Sequence, residues 1–122
     1  MSANPAAGAG RIDLRKAVSL LGEIAGAFAL LAPPAAPSVA ESGAAAQSAL
    51  VAGRRLVELA CQQAPGEEIA GDVLGFAVEV VATAATLRAF VEFRTPGDLG
   101  MRAAACLRFS HEARELAHRL AQ

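Results

Sequence analysis

Tryptophan and tyrosine are absent from this 122-residue chain, and phenylalanine occurs only five times. Large rings cannot fill its core, so its elements must approach closely around smaller side chains. There are two cysteines, Cys61 and Cys106. They lack the Cys-x-x-Cys spacing of a zinc or redox site, and read as small buried hydrophobes in a reducing compartment. Excess charge of either sign is missing: 11 basic and 12 acidic residues leave a net charge of -1. That balance argues against nucleic acid, whose binding needs a basic face to displace counterions. The uncharged run over residues 24–40 is broken by Pro33, Pro34 and Pro37. It is shorter than the roughly 20 residues of a bilayer helix, so no transmembrane span is expected. Arg15 and Lys16 precede an apolar stretch, and Ser38-Val39-Ala40 resembles a leader cleavage site. Glu23 interrupts that stretch, however, and the basic pair lies far from Met1, so the expected location is cytoplasmic.

What the chain has in abundance is alanine, roughly a quarter of all residues and well above ordinary usage. Hydrophobic residues reach 54% and mean hydropathy is +0.39. Alanine forms helix well because it loses no side-chain entropy, yet it buries little area. Such a composition predicts tightly packed helices, and self-association to supply the area that one small chain lacks. The length suits one domain. Residues 1–10, mostly small, read as a disordered tail, and residues 11–122 as a helical bundle.

Four helices follow from the apolar spacing. The first, over residues 11–32, sets Leu14, Val18, Leu21, Ile24, Ala25, Phe28 and Leu31 on one side. Arg15, Lys16, Ser19, Glu23 and Gly26 lie on the other. A proline-rich connector ends it. The second runs from about residue 38 to 63, with Ser38 as N-cap and Glu41 at the capping-box position. Its apolar face is Ala46, Ala49, Leu50, Gly53, Leu56, Val57, Ala60 and Cys61. The third, over residues 67–94, is apolar nearly all round. Ile69, Val73, Phe76, Val80, Leu87 and Val91 form one line, widened by Leu74, Ala77, Val78, Val81 and Ala84. Its polar arc is only Glu68, Asp72, Glu79 and Thr86, which predicts that this helix is the most buried of the four. Thr95-Pro96-Gly97-Asp98 opens the fourth, whose stripe is Leu99, Ala103, Cys106, Phe109, Ala113, Leu116, Ala117 and Leu120. Short connections make neighbours antiparallel. The expected fold is therefore all-α: an antiparallel bundle of about four long amphipathic helices, oligomeric by its apolar excess.

No motif of catalysis or of cofactor binding stands in the chain. In Ser110-His111-Glu112, adjacent helical residues point in different directions and cannot form a nucleophile–base pair. His111, Glu115 and His118 share a helix face with the chemistry of a metal site, but no other helix offers a matching cluster, and the face reads as solvated. Arg54 and Arg55 form the densest basic feature and read as solvated. Arg102 projects near the apolar stripe, where its stem can snorkel. No catalytic, cofactor or metal residue is assigned.

The C-terminal half resembles the phasin family, the small helical proteins that coat polyhydroxyalkanoate granules. The likeness begins near Ala52-Gly53-Arg54-Arg55-Leu56 and is best over residues 87–120. There a long Ala-rich helix is followed by Thr95-Pro96-Gly97-Asp98-Leu99 and a helix ending Glu112-Ala113-Arg114-Glu115-Leu116-Ala117. Where the family commonly has Leu-Gln soon after Thr-Pro, this chain reads Gly100-Met101-Arg102. The resemblance implies a non-enzymatic coat protein associated with granules and lacking a cofactor. From the residues themselves, the apolar faces of the first and third helices are the expected binding surface: Leu14, Val18, Leu21, Ile24, Phe28, Phe76, Val80 and Leu87. The same faces suit a bundle core, a homo-oligomer seam, or partner helices in an adaptor, chaperone or immunity-type protein.

Overall fold

The computed structural model describes residues 14–31, 38–62, 68–93 and 99–121, all but two of them helical. Four helices follow in order: α1 (Leu14–Leu31), α2 (Val39–Cys61), α3 (Glu68–Phe93) and α4 (Leu99–Ala121). No strand occurs among the described residues. The expected all-α bundle is the observed fold. The tail at residues 1–10, the connectors, and the cap Thr95-Pro96-Gly97-Asp98 lie outside the described residues, as do the side chains of Leu14, Val91, Leu99, Arg102 and Ala103.

The start of α2 is built as its residues dictate. The Ser38 backbone N–H donates to Glu41 Oε1 at 3.0 Å, and the Glu41 N–H donates to Ser38 Oγ at 3.1 Å. This reciprocal capping box satisfies two amides that the first turn of a helix cannot pair internally. Charge favours the same arrangement, because a carboxylate sits well at the positive end of the helix dipole. The two bonds from Ser38, first that of its backbone and then that of its side chain, hold the Glu41 carboxyl below its usual range.

In the bundle α1 packs against α2 and α4, and α2 against α3, while α3 and α4 touch least among the described residues. Neighbours run antiparallel. Residues at the start of α1 line a cleft with the end of α2, and Asp72 early in α3 meets Arg119 late in α4 at 2.8 Å. The core holds Leu21, Ile24, Phe28, Leu56, Val73, Val80 and Cys106 at full burial, with alanines filling much of the space between. Phe109 of α4 gathers the rings: its centroid lies 5.3 Å from that of Phe28 and 5.8 Å from that of Phe76, both tilted. Tilted pairs at such distances gain quadrupole attraction beyond the area they bury.

The α2–α3 contact is close because Gly53 has no side chain. A Cβ there would stand 2.9 Å from Val80 Cγ1 and 3.1 Å from Val81 Cγ2. On the other side of the bundle, buried Ser110 of α4 donates its hydroxyl to the Ala25 carbonyl of α1 at 3.0 Å. A buried hydroxyl without a partner would cost about 1–3 kcal/mol, and this bond removes that cost while fixing the register of the two helices.

Two expectations need correction. Cys61 is exposed, and only Cys106 is buried. Cys61 falls seven residues after exposed Arg54 and fourteen after exposed Gln47, so it continues their outer line on the last turn of α2. Nor is α3 the most buried helix: about a third of its described side chains are buried, no more than in the other three. It packs chiefly on α2, and Val78 remains 53% exposed. With α2 as its main neighbour among the described residues, an all-round apolar helix cannot be covered all round.

Candidate functional surfaces

The apolar residues expected to bind a surface are mainly core residues. Leu21, Ile24, Phe28 and Val80 are fully buried, Phe76 and Leu87 nearly so, and Val18 is half-buried against the core. While the bundle is closed they face other helices. Their spacing marked an apolar side correctly, but periodicity alone does not say whether the side meets a neighbour or a ligand.

The uncovered apolar surface lies on the opposite side of α3. Gly71, Gly75, Val78, Ala82, Ala85 and Ala89 are exposed and recur at intervals of four and three residues, which places them on one stripe. None of the six is charged, and they span about 27 Å of helix at 1.5 Å per residue; Glu79 and Arg88 are exposed beside them, and Gly71 and Gly75 line a cleft with Asp72, Glu79, Glu112 and Glu115. Beside the stripe, Thr86 turns its hydroxyl back to the Ala82 carbonyl at 2.8 Å, so part of its polarity is spent within the helix. Asp72 is likewise drawn away toward Arg119 of α4. The segment Glu68–Ala89 is long and apolar enough to cross a membrane by length and composition, and only 33% of its most apolar window is buried. Sequence reasoning looked for a span over residues 24–40 and passed over this one. It is a single helix, and one buried face of it is part of the core.

A second surface is the cleft between α1 and α2. Toward the end of α1 it encloses about 700 Å³ and is lined by Gly26, Leu30, Glu41, Ser48, Val51 and Arg55, among others. Leu30 stands 50% exposed and Val51 36% exposed at its edge. Toward the start of α1 the cleft continues past Arg15, Lys16, Glu23 and Glu58. Neither Arg54 nor Arg55 makes an ion pair among the described residues, and both are exposed.

The α4 face that resembled a metal site is open to solvent. His111 Nε2 lies 4.0 Å from Glu115 Oε1, with both side chains about as exposed as surface residues ordinarily are. No set of three His, Cys, Asp or Glu side chains among the described residues is placed to hold a metal ion. Ser110 points inward to Ala25 while its neighbour His111 points out, so the two do not meet. Arg108 reaches Glu112 at 3.8 Å and lies 5.1 Å from the Phe109 ring centroid, covering the outer edge of the aromatic group.

Compared with known proteins, the chain matches no family model, no curated protein and no solved structure.

Proposed function

We propose that this is a non-enzymatic, phasin-like coat protein that adsorbs to polyhydroxyalkanoate granules or a comparable apolar surface. The observation that carries this reading is the uncharged outer stripe of α3, from Gly71 to Ala89, which the bundle leaves in water. A polyester surface offers apolar area and few directed polar partners. A flat helical stripe suits it better than a pocket lined by convergent polar groups would. Resemblance of the C-terminal half to phasins supports the same assignment. The binding face is accordingly the outside of α3, with Val78 at its centre, and the core line of Leu21, Phe28 and Val80 serves to hold that face in place. The alternative, a module that binds partner helices, draws on the same stripe, because small residues let another backbone approach.

Co-sedimentation with polyhydroxyalkanoate particles, beside hydrophilic beads of equal area, tests the proposal. Retention on the polyester alone is expected. Equal and negligible retention on both by folded protein would remove the coat reading and leave the helix-binding module.

A further inference from the structure

The α1–α2 cleft has a symmetry that points to its occupant. Along the outer side of α2, Glu41, Ala44, Ser48, Val51 and Arg55 line one groove at intervals of three and four residues. Counted from Ser48, Glu41 lies seven residues before and Arg55 seven residues after. Two such helices laid antiparallel, with Ser48 facing Ser48, therefore set each Glu41 against the Arg55 of the other copy. The same reversal brings Val51 over the shallow position Ala45. On α1, Leu30 stands 50% exposed in the same groove and Gly26 leaves open space, with no other element within 4 Å of the position a Cβ would take. On α2 the groove thus offers a projection, Val51, and a shallow position, Ala45, that exchange places under a two-fold rotation. Self-complementarity under reversal is the requirement of an isologous dimer. Opposite charges at the two ends fix its register and its antiparallel sense.

We infer that a second copy of this chain docks on the α1–α2 face, with α2 antiparallel to α2 about Ser48 and two Glu41–Arg55 pairs closing the ends. Arg55 is available for this role because it makes no ion pair among the described residues. Glu41 keeps its bonds to Ser38 and is held in its charged form by them. This dimer leaves the α3 stripe, on a different side of the bundle, outside the interface. It stands whether or not that stripe meets a granule.

Sedimentation velocity on the full chain tests the interface. Wild-type protein is expected to dimerise with increasing concentration. Arg55→Glu and Glu41→Arg, each placing like charges at both ends, should each weaken the dimer by about tenfold or more. Mixed in equal amounts, the two variants should dimerise again, because both ends of the mixed pair are then complementary. Circular dichroism establishes that each variant is folded, and Val51→Lys gives a disruption that leaves the cap intact. In a Cys61→Ser background, Ser48→Cys should form a covalent dimer under mild oxidation, and Val78→Cys should not. A monomer throughout the micromolar range overturns the inference. So does a dimer that the mixed charge variants fail to restore, or one cross-linked through position 78 in place of 48.

Discussion

Helices α1 and α3 are the two most apolar of the bundle, and they place that character differently. In α1 Leu21, Ile24 and Phe28 are buried and Arg15, Ser19, Glu23 and Gly26 face outward, with Leu30 near its end 50% exposed at the edge of the α1–α2 cleft. Most of its large apolar side chains serve the fold. In α3 the line Val73, Phe76, Ala77, Val80, Ala84 and Leu87 is buried in the same way, yet the opposite stripe is uncharged as well. The difference teaches that α3 is more apolar than its place in the bundle needs. Under the proposed coat function, that surplus is the face that meets the granule.

The comparison can be broken most forcefully in the core. Phe28→Ala should cost about 3–5 kcal/mol, because it removes a fully buried ring that stacks on Phe109. Leu21→Glu should leave no stable fold, since an unpaired carboxylate would be buried there. On the outer stripe, Val78→Ala should change stability by no more than about 0.5 kcal/mol. Urea unfolding followed by circular dichroism reads all three, and similar losses at Phe28 and Val78 would erase the distinction between the helices.

Glycine sharpens the contrast at the next level. Gly53→Leu should lose at least about 1–3 kcal/mol, since its side chain would be forced onto Val80 and Val81. Gly75→Ala meets nothing within 4 Å and should stabilise α3 by about 0.4–1 kcal/mol through the unfolded state and helix propensity. Thermal melts of the two variants should shift in opposite directions.

How much of this was legible beforehand follows from the same two helices. The α1 pattern was readable because one side is polar, which leaves a single direction for the core. The capping box of Ser38 and Glu41 was readable because it is local, requiring only residues three apart. The outward side of α3 was readable only through its narrow polar arc, whose Glu68, Asp72 and Glu79 are exposed. Over the rest, where every position is apolar or small, spacing identifies a helix without saying which part of it is covered. The Ser110–Ala25 bond was also hidden, since it depends on the register between two helices far apart in sequence. So was the α1–α2 cleft, which exists only once those helices lie side by side.

The smallest expected effect is at the cap of α2. Glu41 has its carboxyl held below the usual range by Ser38, so its ionised form favours the folded state. That contribution is fully present above the ordinary carboxylate value and is lost as pH falls through the lowered folded one. Melting-temperature differences between wild type and Glu41→Ala should therefore shrink as acid is added below about pH 4.5. A difference that grew with acid would contradict the cap as drawn.

The central claim is that the outer stripe of α3 binds without holding the fold together. Val78→Glu combined with Ala82→Glu tests it most directly, with unfolding and retention on polyhydroxyalkanoate particles measured on the same preparation. Both positions are exposed, so the variant should unfold within about 1 kcal/mol of wild type, yet lose most of its retention on the particles. Unchanged retention by the folded variant would contradict the claim.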